Sequence, residues 1–259
     1  MIGAIAGDII GSVHEYAGTK SKDFDLFVPA SRFTDDTVLA VAVADCLLNG
    51  SDYVDAFHGY FSAYPDAGYG LRFFQWASAG NRNPYNSYGN GSAMRVASVG
   101  YAFDALDEVL RQAARSAEVT HNHPEGIKGA QATAAAVFMA RRGETKSRIK
   151  RDLELMFGYN LTERLDDLRS VYRFDESCQG TVPAALIAFL ESHDYEDAVR
   201  NAISLGGDAD TLACITGAVA EAHYRGVPSQ IATRAMAALD DRLRSLVVQF
   251  CQRYEIRTG

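Results

Sequence analysis

Two short acidic segments carry the strongest chemical signal in the chain. Thr34-Asp35-Asp36-Thr37 precedes the apolar run VLAVAVADCLL, and Asp208-Ala209-Asp210-Thr211 precedes LACITGAVAEA. Each puts two carboxylates and hydroxyls at the mouth of an apolar helix, where Asp and Thr also cap free N–H groups and suit the helix dipole. A cap needs only one side chain, whereas each segment supplies several oxygen donors. Gly206-Gly207 ahead of Asp208 implies a backbone that bends tightly or is closely approached. If the segments meet in space, their carboxylates converge, and like unit charges about 4 Å apart repel by about 4 kcal/mol at an effective dielectric constant near 20. Such a cluster needs cations. Carboxylate and hydroxyl oxygens without a neighbouring Cys favour Mg²⁺ or Mn²⁺ over zinc. Acids shared between two sites suit a binuclear centre that orients substrate oxygens and activates a water.

These groups need rigid elements to aim them. Long Ala- and Leu-rich segments with apolar residues three and four apart predict helices over 37–48, 104–119, 126–142, 145–157, 181–191, 195–204, 210–224 and 238–254. Pro124, Asp194 and Thr181 mark helix starts. The first sixteen residues read as a further helix. Gly3, Gly7 and Gly11 recur along one side of it at roughly 1 kcal/mol each relative to Ala, so something must pack very close there. Asp8, Gly11 and Glu15 share a face by the same periodicity. No alternating pattern with hairpin turns recurs. The prediction is an all-α fold: one compact bundle of many helices over residues 1–259, with a binuclear metal site at helix N-termini and a surface loop at 80–92 (GNRNPYNSYGNGS).

Composition narrows the classes further. Hydrophobic residues at 47% and charged residues at 22% of 259 positions match a globular chain and exclude disorder or a fibrous repeat. Lys+Arg 25 against Asp+Glu 33 leaves a net charge of −8, which argues against a phosphate-coating surface, so nucleic acid is not an expected partner. No long uncharged apolar window exists and the first residues lack a basic leader, so the expectation is a soluble, cytoplasmic protein without a membrane partner. Cys46, Cys178, Cys214 and Cys251 lie far apart, which predicts buried, reduced thiols.

GDIIGSVHE at 7–15, FTDDT at 33–37, GNGSAMR at 89–95, THNHPEG at 120–126 and GGDADT at 206–211 resemble, in order, the motifs of the ADP-ribosylglycohydrolases. The resemblance runs from residue 3 to about residue 224. It implies an all-α fold holding two Mg²⁺ or Mn²⁺ ions and hydrolysing the bond between C1″ of the distal ribose of ADP-ribose and an acceptor. Matched position by position, Thr34, Asp35, Asp36, Asp208, Asp210 and Thr211 are the implied metal ligands, with Asp36 and Asp210 also counted as catalytic. Glu15 is the implied acid beside the metals and the attacking water. Gly89, Asn90, Gly91 and Ser92 form the implied loop for the distal ribose and diphosphate, Gly70 a second turn near that ribose, and His121 a histidine beside the substrate.

Residue chemistry agrees with these roles. A Gly-rich loop entering a helix at Ser92 offers N–H groups to a diphosphate, and Glu15 suits a general base or water-orienting group. The bond would break through an oxocarbenium-like state. Tyr85 or Tyr88 offers a face to adenine. Other residues have two readings each. His123 caps the helix near Pro124 or faces the substrate; Asp66 is a solvated loop acid or assists the leaving group; Asp8 supports a ligand from behind or caps backbone. The alternative function is an ADP-ribose-binding protein with little turnover.

Overall fold

A computed structural model describes residues 1–257. The chain runs through α1 (Ile2–Gly11), α2 (Asp35–Asn49), α3 (Tyr53–Ala63), α4 (Leu71–Ser78), α5 (Gly91–Met94), α6 (Ala97–Ala102), α7 (Leu106–Glu118) and α8 (Pro124–Arg141). It continues through α9 (Lys146–Phe157), α10 (Leu165–Val171), α11 (Cys178–Leu190), α12 (Tyr195–Ile203), α13 (Ala209–Tyr224), α14 (Ser229–Ala237) and α15 (Asp241–Arg253). Among the described residues the fold is all-α, with one isolated bridge between Gly89 and Ser177 as its only extended pairing. Buried apolar side chains from α1 to α15 form a single cluster.

At its centre α1 lies against α13, and both are buried along nearly their whole length. The glycine repeat accounts for this contact. A Cβ at Gly3 would strike Gly217 O and Glu221 Cβ, one at Gly7 would strike Ala213 O, and one at Gly11 would lie 2.5 Å from Ala209 O. Two backbones approach where side chains are missing, and Gly217 repeats the device from the α13 side against Gly3 O. Glu221 secures the other end of the pair by accepting from the N–H groups of Ile2 and Gly3 at 3.2 and 3.0 Å. The N-terminus of α13, with its acidic motif, is therefore held against the end of α1.

Most expected helices are present within a few residues, with three instructive differences. The first helix stops at Gly11, and residues 12–18 turn, with His14 N donating to Gly11 O at 2.7 Å and Ala17 N to His14 O at 3.0 Å. Asp8 and Glu15 therefore do not share a helix face. Thr181 does not open α11: Ser177 caps it by accepting from Gly180 N at 3.2 Å, and Pro183 lies inside the helix. Pro183 lies past the first four residues, so it removes one ladder hydrogen bond from the second turn, a cost that the burial of this helix must offset. Finally, α3 and α4 lie outside the predicted helices, because their aromatic residues are weak helix formers. Tertiary packing stabilises them instead: Phe61, Tyr69 and Phe73 form a chain of rings 5.1 and 5.2 Å apart.

Candidate active site

The mouths of α2 and α13 meet. Thr211 Oγ1 donates to Asp36 Oδ1 at 3.3 Å across the junction. Thr34 is the N-cap of α2, its hydroxyl oxygen accepting from Asp36 N at 3.3 Å, and Asp208 is the N-cap residue of α13 without using its side chain for capping. Its carboxylate instead accepts from Asn90 Nδ2 at 2.7 Å, and Asp210 Oδ1 accepts from Thr211 N at 2.8 Å. Gly206 takes φ +64°, which lets the chain turn sharply into α13, and a Cβ at Gly207 would strike the Tyr172 ring.

Asp8 supports this junction from behind. Fully buried, it accepts from Thr34 Oγ1 at 2.7 Å, Thr34 N at 3.0 Å, Thr37 N at 3.1 Å and the Thr37 hydroxyl. It is thus a cap for α2 delivered by α1, and it does not line the cavity described next. The two readings of Asp8 merge: in capping α2 it also fixes Thr34.

A cavity of about 470 Å³ opens onto the junction. Thr34, Asp35, Asp36, Asp208, Asp210 and Thr211 line its floor, joined by Glu15 from the turn after α1. Oxygens of Glu15, Asp208 and Asp210 lie within 4.8 Å of one another. Burial, then repulsion from Asp8 and Asp35, holds the Asp36 carboxyl well above its ordinary range. Burial followed by Asp36 and Asp208 does the same to Asp210. Asp35 is raised by burial and by Asp8 and Asp208, and Asp208 by burial, against its hydrogen bonds with Asp210 and Asn90. Glu15 is raised by burial and by Asp208 and Glu176, against Tyr16 and Arg32. The common cause is converging negative charge in a desolvated place. Asp36 Oδ2 is buried without a protein partner, an acceptor aimed at nothing the chain supplies. This donor set fits hard divalent cations: all oxygen, acidic, and carrying an unused buried lone pair.

The glycine loop forms one wall. Gly89, Asn90 and Gly91 line the cavity, and the loop is pinned by Asn90 N donating to Glu176 O at 2.7 Å and Cys178 N donating to Tyr88 O at 2.8 Å. Gly70 lines the opposite side as the N-cap residue of α4, and the preceding turn is tied to α2 by Asp35 N donating to Ala67 O at 2.8 Å. Asp66 is exposed at the rim. Tyr85 and His121 stand together, rings 6.1 Å apart. Burial, then the nearby Arg95 and Arg72, keeps the His121 imidazole well below its ordinary range and so neutral.

Three expected contributors lie elsewhere. Ser92 is fully buried with its hydroxyl donating to Gly126 O at 2.7 Å, so its side chain braces the loop against α8 and does not face the cavity. His123 accepts from Glu125 N at 3.1 Å and is the N-cap of α8, the capping reading. Tyr88 packs its ring 5.4 Å from His123 outside the cavity, which leaves Tyr85 as the aromatic face of this loop.

Several further cavity residues carry no clear signal in the sequence. Arg32 and Arg72 bring positive charge to an otherwise acidic site, Arg72 stacking over Tyr85 at 5.0 Å. Tyr16 and Phe174 stack at the rim, ring centroids 5.8 Å apart, and Glu176 joins them. The Arg72–Tyr85 stack joins the first turn of α4 to the loop that follows it, thirteen residues on, and no local pattern marks it. The arginine that ends GNGSAMR has a place that the motif alone does not disclose: Arg95 is fully buried in the cavity wall, next to His121 in its lining.

The family model of ADP-ribosylglycohydrolase matches residues 1–258. The chain belongs to the ADP-ribosylglycohydrolase family. Among the curated relatives of this ADP-ribosylglycohydrolase is the human ADP-ribosylhydrolase ARH3, 29% identical over 86% of this chain and 84% of the relative. The ADP-ribosylarginine hydrolase Tri1 of Pseudomonas putida (strain GB-1) is 25% identical over 89% of this chain and 71% of its own. A solved structure described as an ADP-ribosylglycohydrolase-related protein complex superposes with a TM-score of 0.69 at 27% identity, covering 97% of this chain and 96% of that one. The chain is accordingly a hydrolase of this family. No helix among the described residues is long and apolar enough to cross a membrane.

Proposed function

We propose that the protein is a metal-dependent ADP-ribosyl-acceptor hydrolase, acting as one domain, that releases ADP-ribose by cleaving the bond from C1″ of the distal ribose to the acceptor. The observation that carries this reading is the meeting of two acidic helix mouths beneath a cavity walled by a glycine loop. Thr34, Asp35, Asp36, Asp208, Asp210 and Thr211 would hold two Mg²⁺ or Mn²⁺ ions. When bound, these neutralise the carboxylates, fix ribose hydroxyls and lower the pKa of a water.

The chain's own groups do the rest. The backbone N–H of Gly91, the one in this loop not already bonded within the protein, binds the diphosphate, with Arg32 and Arg72 offsetting the acidic surroundings, and Tyr85 offers a face to adenine. Glu15 orients the attacking water and takes its proton as the oxygen bonds to C1″ and the acceptor departs with the electrons of the broken bond. The departing group takes its proton from solvent or with the assistance of Asp66, which is exposed at the rim. Asp8 keeps Thr34 and the α2 mouth fixed throughout. The four buried cysteines fit a reducing compartment such as the cytoplasm.

The test is a panel of ADP-ribosylated arginine, serine and nucleic-acid substrates with Mg²⁺ or Mn²⁺, scored by released ADP-ribose. Release from at least one acceptor, lost in Asp210→Ala, supports the reading. No release from any, with tight ADP-ribose binding retained, would make the protein a binder.

A further inference from the structure

Among the described residues Arg95 is the largest fully buried side chain, and both of its hydrogen-bond acceptors are neutral. Its Nη2 donates to Ser116 O at 2.6 Å, near the C-terminal end of α7, and to Thr120 Oγ1 at 3.1 Å. The guanidinium also packs 4.4 Å from the Phe57 ring, while Nε and Nη1 have no protein partner. Burying a cation without a carboxylate is costly even after relaxation. A leucine or methionine would fill the same space without that cost.

What the cation does is legible one bond further on. Thr120 Oγ1 lies 2.7 Å from His121 Nδ1. His121 lines the cavity, and its Nε2 is directed at the glycine loop: a Cβ built on Gly91 would lie 3.3 Å from it, and one on Gly89 3.6 Å. A guanidinium can only donate, so it occupies a lone pair of the Thr120 oxygen. Its positive charge also turns the hydroxyl proton away, toward Nδ1. An imidazole that accepts at Nδ1 and is neutral carries its proton on Nε2.

We propose that Arg95 is a positioning residue that acts through Thr120 to hold His121 as the Nε2–H tautomer, so that the ring donates to a substrate oxygen held by the Gly89–Gly91 loop. The inference rests on the reading of the cavity as an ADP-ribose site, and it adds that the relay, not the histidine alone, sets the donor. The alternative tautomer would aim a lone pair at the same oxygen and repel it.

The experiment combines ¹⁵N NMR of the His121 ring with ADP-ribose titration of the full chain. Thr120→Val removes the hydroxyl at nearly constant volume, Thr120→Ser restores it, and Arg95→Met removes the cation. Wild type and Thr120→Ser are expected to show Nε2–H and equal affinity. Thr120→Val is expected to lose the single tautomer and to bind ADP-ribose about tenfold more weakly, the size of one neutral hydrogen bond. Arg95→Met should shift the tautomer in the same direction. If it fails to fold, Thr120→Val decides alone. A Nδ1–H tautomer in the wild type, or Thr120→Val with tautomer and affinity unchanged, overturns the relay. If the wild type does not bind ADP-ribose at all, the functional reading falls, and the tautomer measurement still decides the relay.

Discussion

Replacing Gly7 by alanine isolates the contact on which the site's geometry depends. A Cβ at Gly7 would strike the Ala213 carbonyl and lie 2.8 Å from Cys214 N, all main-chain atoms of α13 that have no rotamer to escape into. Overpacking of this kind costs about 3 kcal/mol at the upper end of its usual range. Alanine regains roughly 1 kcal/mol of helix propensity over glycine. The net is a loss of about 2 kcal/mol, a melting temperature lower by about 4–8 °C for a domain of this size. Gly59 is the control. It lies in α3, where a Cβ would meet nothing within 4 Å, so Gly59→Ala gains the propensity without the clash and should melt about 1–4 °C higher. Circular-dichroism melts of the two variants beside wild type check the pair. Gly7→Ala should also lower activity, since the α13 mouth would be pushed from α2. Equal stability of Gly7→Ala and wild type, or shifts of the same sign in both variants, would refute the reasoning.

Other expectations follow from single contacts. His123→Ala should cost about 1 kcal/mol in a denaturant titration through the lost cap of α8 and leave ADP-ribose affinity within twofold, whereas His121→Ala should weaken that affinity about tenfold or more. Despite burial, the Asp197 carboxyl is held below its ordinary range by Lys22 and by His193, so its stabilisation is complete above about pH 4 and fades as pH falls through the depressed folded value. The stability gap between wild type and Asp197→Asn should therefore be widest near neutral pH and close in acid, measured by urea titration at several pH values. Burial pushes the Cys46, Cys178 and Cys251 thiols up to about 12 and Cys214 up as well, so a thiol reagent should label none of them in the native protein at pH 8 and all of them in denaturant.

Local signals and long-range contacts divide what is legible in the sequence from what is not. The glycine repeat of α1 announces a close neighbour because three costly residues recur on one side, but only the fold names α13 as that neighbour. The paired acidic motifs announce a cluster because like charges converge only with compensation, and Thr211 and Asp36 do meet. Glu15, expected to reach the site along a helix, reaches it through turns, because the Ser12 hydroxyl takes the Ile9 carbonyl and the following N–H groups bond three residues back. Ser92 departs from expectation for a related reason: a hydroxyl in a glycine loop looks available, yet it is claimed by Gly126, which is distant in sequence. Arg95 has no periodic signature as a buried cation, and its Thr120 acceptor is fixed only by the packing of α5 beside α7.

If the two acidic helix mouths form a metal-dependent hydrolytic site, ADP-ribose release must depend on both the metal and the carboxylates. Chelator-treated wild type, the same sample returned to Mg²⁺ or Mn²⁺, and Asp36→Asn in the same metal are compared on the acceptor that the substrate panel selects. Little release is expected after chelation, with recovery on adding metal and a loss of at least about a hundredfold in Asp36→Asn, the scale of removing a group that acts on the transition state. Undiminished release after chelation, or full activity in Asp36→Asn, would contradict it.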